Sequence, residues 1–430
     1  MGLVSNFVFG ALLLIGIGFF VRNINKLKRN IKLGKSVEIS GSSRQRWKNM
    51  AMIALGQSKM ITRPIAGILH IIVYIGFIVI NIEVLEIVID GLFGTHRIFS
   101  SIGPVYGVLI GTFEIFAALV FVAVVVFWIR RNVIRLKRFM SSEMKGWPKQ
   151  DGNLILYFEI VLMALFIIMN ATDVQFQSMN SGNVISQFIA PWFEGLPVHA
   201  IERTAWWLHI AGILIFLNYL YYSKHLHILL AFPNTYYGRL TPNGQLDNLE
   251  SVTKEVKLMM DPDADPYATP EDSAAEVEKF GASDVFDLNR IQLLNAYTCT
   301  ECGRCTSECP ANQTGKKLSP RKIMMDTRDR LQDVGQNIDA NKGTFKPDGK
   351  QLLGDFITNE ELWACTSCNA CVEACPISIN PLSIIMDMRR YLVMENSAAP
   401  TELNTMMTNI ENNGAPWPYN QMDRLNWNKE

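Results

Sequence analysis

The sequence predicts a mainly α-helical protein: a bundle of five transmembrane helices followed by a smaller helical domain organised by cysteines. Three observations carry that prediction. Five long apolar runs occupy the chain up to about residue 230. Basic residues alternate between the loops joining those runs. All eight cysteines fall beyond residue 298, in two copies of one spacing.

The apolar runs cover 3–21, 64–89, 105–129, 154–171 and 205–230. A helix of about 20 residues crosses the roughly 30 Å hydrocarbon layer, so each run is long enough or nearly so. The first run has no basic amino end and no small-residue cleavage pattern; basic residues follow it instead, which reads as an uncleaved helix rather than a signal peptide. Residues 22–63 carry eleven Lys or Arg against Glu38 alone, and residues 130–153 carry seven against Glu143 and Asp151. The other two loops have one each, Arg97 and Arg203. The positive-inside rule then puts the amino terminus outside, both basic loops in the cytoplasm, and everything beyond residue 231 in the cytoplasm. The expected location is the bacterial cytoplasmic (inner) membrane. Across the chain 40 basic residues balance 40 acidic ones, so charge offers no support for nucleic-acid binding.

Residues 299–310 read "CTECGRCTSECP" and residues 365–376 read "CTSCNACVEACP". The C-x2-C-x2-C-x3-C-P spacing is too tight for most disulfides and suits metal ligation. A C-x2-C-x2-C loop brings three thiolates to one point, and in two-cluster proteins the fourth cysteine of each run serves the other cluster. One [4Fe–4S] cluster is therefore expected on Cys299, Cys302, Cys305 and Cys375, and a second on Cys365, Cys368, Cys371 and Cys309. Structural zinc, which favours paired CxxC motifs, is a poorer match. Thiolates awaiting a cluster fit a reducing compartment, which agrees with the cytoplasmic side. There is no glycine-rich nucleotide fingerprint and no spare cysteine, so the chain is expected to conduct electrons and to rely on a partner for substrate chemistry. The predicted organisation is a membrane domain over 1–232, an acidic proline-containing connector over 233–290, a two-cluster domain over 291–395, and a polar tail over 396–430 suited to partner docking.

Four of the six histidines, His70, His209, His225 and His227, lie in or near the membrane runs, where a titratable group suggests function. On a continuous helix His209 and His227 share a face, about 27 Å apart along the axis, while His225 points elsewhere. His70 and His227 fall at equal depth near the cytoplasmic side, as the two axial ligands of a haem b require; His225 is the substitute for His227. His209 is the candidate for a second haem, with His96 and His199 in outer loops as its available partners. Glu83, Glu86 and Glu114 sit in outer halves of helices, and Glu83 and Glu114 are candidates for a proton relay to a quinone.

Five helices with histidines on the second and fifth resemble the haem-b membrane subunit of respiratory nitrate reductase and its heterodisulfide-reductase relatives. That family places two histidines ten residues apart on the second helix; His70 matches one, and Ile80 replaces the other. The stretches "YTCTECGRCTSECPANQTGKKLSPRKIMMDTRD", "WACTSCNACVEACP" and "NIENNGAPW" resemble the membrane iron–sulfur oxidoreductases that accept electrons from electron-transferring flavoprotein (ETF). The resemblance implies a helical ferredoxin domain, menaquinone as the electron acceptor, and ETF or another flavoprotein as the donor. It also implies a CCG-type iron–sulfur partner, here a separate subunit, with the tail from 411 onward as its docking strip. The alternatives are the same wire serving a heterodisulfide, lactate or glycolate partner, or a membrane iron–sulfur scaffold or redox sensor.

Overall fold

The computed structural model describes residues 2–39, 41–242, 244–263 and 279–429. Among these, five helices are long and apolar enough to cross a membrane. They are α1 (Leu3–Lys32), α2 (Pro64–Phe93), α3 (Pro104–Asn132), α4 (Trp147–Thr172) and α5 (Val198–Tyr219). A proline in the first turn opens α2, α3 and α4, where its missing N–H costs nothing. The helices close a ring in which each packs against the next and α5 returns to α1. On α3 the buried residues Tyr106, Ile110, Phe113, Ala117, Val120 and Val124 recur every three or four positions and form its inner stripe. Gly76 lets α2 approach that stripe: a Cβ there would stand 2.5 Å from Val120 Cγ2. Outward-facing Leu3, Val4, Phe7 and Leu14 leave α1 apolar on its lipid side.

At 30 residues α1 is about 45 Å long, more than the hydrocarbon layer needs. Its last turns leave the bundle and enter the second domain, where Leu27 and Asn30 are buried. That domain comprises α6 (His227–Tyr236), α7 (Arg290–Thr298), α8 (Pro320–Ala340) and α9 (Pro381–Arg390), with the cysteine loops between them. Its core gathers Leu293, Ile323, Leu331, Val334, Ile384 and Met388. Asn30 donates to the Tyr297 hydroxyl at 2.9 Å, and Lys26 and Arg29 pair with Asp339. Among the described residues there is no β-sheet, only two isolated bridges, one of which ties Lys35 to Asn289.

The fifth apolar run is not one helix. α5 ends at Tyr219, Ser223 is extended, and a new helix starts at His227. Buried Asp151 causes the break: it accepts from the Tyr219 hydroxyl and, at 3.1 Å, from the Lys224 backbone N–H, while the Ser223 hydroxyl caps the following turn. Counting helical turns from His209 to His227 therefore fails. The connector contributes an exposed helix, Glu250–Met260, and its acidic stretch over 264–278 lies outside the described residues. The tail carries a helix, Thr401–Asn413, with no buried residue, and Trp417 and Trp427 beyond it are exposed.

Candidate redox centres

Both cysteine loops have the same backbone. The residue two beyond the first cysteine (Glu301, Ser367) and the residue four beyond it (Gly303, Asn369) have positive φ, and a single helical turn follows each. These reversals curl each loop so that its first three thiols face inward. Cys299, Cys302, Cys305 and Cys375 lie within electrostatic reach of one another, and Cys309 joins Cys365, Cys368 and Cys371. A partly open pocket, about 360 Å³ with its solvent-facing space, is walled by the first four thiols together with Cys371. Burial pushes the Cys299 and Cys371 thiols up to about 12 and Cys375 to about 11. Thiols so raised become thiolates together only against concentrated positive charge, which is what iron supplies. The donor set therefore fits the clusters. Backbone N–H groups of Ser367 and Ile379 point at Cys365 Sγ and Cys375 Sγ, at 3.4 and 3.3 Å. Such contacts help set cluster potentials.

The first loop is pressed onto the membrane bundle. Arg304, buried, donates to the carbonyls of Lys59 and Met60 and to the Thr62 hydroxyl, at 2.9, 3.2 and 3.1 Å. Its guanidinium is within electrostatic reach of both Cys302 and His70. Arg63 answers from the other side, donating to Ser307 and Glu308 at 2.7 and 2.9 Å. Glu301, 3 % exposed, is held between Lys224 and Arg328. Lys224 carries the connection onward, because its carbonyl faces His227 Nδ1 at 3.2 Å. Sequence reading missed Arg304, Lys224 and Glu301. The visible signal was a lysine inside an apolar run, next to two histidines.

The His70 and His227 rings lie with centroids 6.3 Å apart at an interplanar angle of 40°. At that separation both imidazoles could reach a single iron. The His227 Nδ1–H directed at a carbonyl leaves Nε2 bare, the arrangement usual for a metal-ligating histidine. His70 Nδ1 is buried without a partner. These residues fit a haem. His225 does not point elsewhere: its ring is 5.2 Å from that of His227 and packs under Phe216. The break in the fifth run turned it there.

His209 stands apart, 1 % exposed against Phe166, with Nδ1 on the Leu162 carbonyl at 3.1 Å and Nε2 buried without a partner. His96 is instead held by Asp173, and His199 is exposed. Of the carboxylates, Glu114 accepts from Asn170 and from the N–H groups of Ile185 and Ser186, which fastens the loop after α4. Glu86 accepts from the Phe99 N–H and Tyr106. Glu83 alone of the three keeps a buried oxygen, Oε2, without a partner.

Membrane helices joined to two [4Fe–4S]-type cysteine loops define a membrane iron–sulfur protein, and residues 298–379 match the 4Fe-4S dicluster domain family. The chain is similar to the probable iron-sulfur-binding oxidoreductase FadF of Bacillus subtilis, 29% identical over 93% of this chain and 57% of that protein. It is 25% identical to the EtfAB:quinone oxidoreductase of Syntrophomonas wolfei over 87% of this chain and 53% of that one. A component of the dihydromethanophenazine:CoB–CoM heterodisulfide reductase of Methanosarcina mazei is 27% identical over 35% of this chain and 37% of its own. The chain thus spans little more than half the length of the first two relatives. No solved structure matches significantly.

Proposed function

We propose that the chain is the membrane electron-transfer part of a quinone-linked oxidoreductase, passing electrons between a cytoplasmic flavoprotein, ETF or a functional equivalent, and menaquinone. When bound, two [4Fe–4S] clusters and haem b supply the one-electron carriers. The observation that carries the reading is the Arg304 contact, which fastens the first cysteine loop to the segment leading into α2 and His70. His70 and His227 would hold the haem iron. Glu83 Oε2 would hold and pass the protons that quinone chemistry demands. The exposed loop containing Cys368 would face the donor or a CCG-type iron–sulfur subunit, with the tail from 411 as a docking strip. The iron–sulfur domain would lie on the cytoplasmic side.

A reduced-minus-oxidised visible spectrum, with iron and haem quantified per chain, tests the reading. About eight irons with haem b bands that vanish in His70→Ala and His227→Ala support it. Eight irons without haem would leave the clusters and remove the route into the bilayer. A heterodisulfide or other thiol partner is the second reading, favoured by the similarity to the heterodisulfide reductase component. Reduction by ETF rather than by a dithiol donor separates the two.

A further inference from the structure

The end of the bundle away from the cysteine loops holds an open pocket, about 370 Å³ with its solvent-facing space, in which neither the cysteines nor His70 and His227 take part. Five carboxylates and two guanidiniums line it. Asp90 is occupied with the backbone N–H groups of Arg97 and Ile98, at 2.6 and 3.2 Å, and Glu86 with the Phe99 N–H and the Tyr106 hydroxyl. Asp173 accepts from Arg97 and from the Phe176 N–H, Glu202 meets Arg203 through both its oxygens, and Glu83 Oε2 has no partner. His96 joins them, its Nε2 standing 3.2 Å from Asp173 Oδ2. One ligand atom from each of His96, Asp173 and Glu202 lies within 4.8 Å of the others. Independently, Glu83 lines the same pocket at 2 % exposure with Oε2 unpartnered. A carboxylate oxygen stripped of water and given no donor is costly unless a cation or a proton meets it.

We propose that His96, Asp173 and Glu202 form a binding site for a divalent first-row transition cation such as Zn²⁺, with Glu83 as the buried oxygen behind it. One imidazole nitrogen with carboxylate oxygens is a donor set that suits Zn²⁺ and its neighbours and excludes ions that demand sulfur. Ligand atoms around a tetrahedral ion stand about 3.3–3.5 Å apart; His96 Nε2 and Asp173 Oδ2, at 3.2 Å, already do, and the Glu202 oxygen must close by at most about 1.5 Å. His96 has the freedom to adjust, its side chain being 38% exposed. Asp173 keeps lone pairs for an ion while holding Arg97, because a carboxylate accepts at about four positions. The three ligands come from the loop between α2 and α3, the residue after α4, and the first turns of α5. A bound ion would tie these segments together. The site does not need the proposed electron path; it shares Glu83 with that path, and an ion there would hold this carboxyl in place of a proton.

The test uses the full-length, detergent-solubilised protein with its clusters, washed with chelator and titrated with ZnCl₂ against a fluorescent chelator. One saturable equivalent is expected, with a Zn K-edge absorption spectrum showing a nitrogen and oxygen shell that contains one imidazole. His96→Ala and Glu202→Gln should each weaken binding at least ~10-fold. His199→Ala, at an exposed histidine of the same end, should leave it unchanged. His96 is partly exposed, so its variant tests the ligand without emptying the core. A sulfur shell, no saturable binding, or equal affinity in the His96 and Glu202 variants overturns the site.

Discussion

The two cysteine loops share a spacing and a backbone, yet their surroundings differ in almost every respect. The first is covered by the membrane bundle: Arg304 and Glu301 are buried there and bond outward to Lys59, Met60 and Lys224. The second is tied within its own domain. Arg389 donates to the Leu362 carbonyl at 2.6 Å, stacks on Trp363 and reaches the Cys365 carbonyl, while Cys368 remains exposed. The contrast shows even in the left-handed position. A Cβ at Gly303 would stand 2.6 Å from Arg321 Nη1, whereas Asn369 is tolerated at the corresponding turn of the other loop. Identical ligand geometry thus gains direction from its environment, one loop facing the bundle and the other facing solvent.

The largest expected effect breaks that asymmetry at the ligands. Cys302→Ala and Cys368→Ala should each lower bound iron from about eight to about four per chain. On the proposed order they differ in consequence. Cys302→Ala should abolish haem reduction by any donor. Cys368→Ala should leave reduction by dithionite, a small reductant, and lose reduction by a protein donor. Equal loss with both donors in both variants would mean that the loops are not used in series.

The next effect lies in the buried triad that only the first loop possesses. Lys224 and Glu301 have side chains 9% and 2% exposed, and Arg328 stays on Glu301 when Lys224 is removed. Lys224→Met should therefore cost about 1.5–3 kcal/mol in stability at the domain junction, the range for a hydrogen bond between charged groups, and Glu301→Gln, which takes the shared anion from both cations, about 3–5 kcal/mol. Chemical denaturation of the two variants in detergent measures both. The same change also removes what orients the turn before His227, so a haem absorption shift should accompany the Lys224 variant. The corresponding Ser367 belongs to no such triad; its hydroxyl accepts from Arg389 at 3.3 Å, and Ser367→Ala should cost about 0.5–1.5 kcal/mol.

Much of this molecule is written locally. The cysteine loops are legible because their chemistry depends on spacings of two and three residues, and the five membrane helices because lipid demands long apolar runs. What escaped depends on distant residues. The break at Ser223 needs Asp151, which lies on another helix, so periodicity alone extends α5 through His227. Glu114 reads as a lone membrane acid until Ile185 and Ser186 supply its donors from a later loop. Arg304 sits inside a cysteine motif, where it reads as a loop filler, and its partners lie some 240 residues earlier. Tertiary contacts of this kind leave no periodic trace in the chain.

The smallest effect sharpens the comparison through pH. The clamp nearest the first loop includes Glu143, which accepts from Arg321 at 2.6 Å and Ser319 at 2.8 Å. Burial works to raise this carboxyl, but the Arg321 guanidinium and the Ser319 hydroxyl outweigh it and hold the group below the usual range. A carboxyl depressed on folding contributes stability that is whole above its unfolded value of about 4.3 and is lost as pH falls through the folded one. Junction stability should therefore be flat from pH 8 to 6 as far as this group is concerned, and should fall only below about pH 4. Glu143→Gln should cost about 1.5–3 kcal/mol at neutral pH, the range for a hydrogen bond to a charged group, and should remove part of the acid dependence. Limited proteolysis of the 136–146 loop across pH reads both. An unchanged acid limb in the variant would mean that Glu143 is protonated with the junction already closed, and that the first loop is held to the bundle by Arg304, Arg63 and the Lys224 triad.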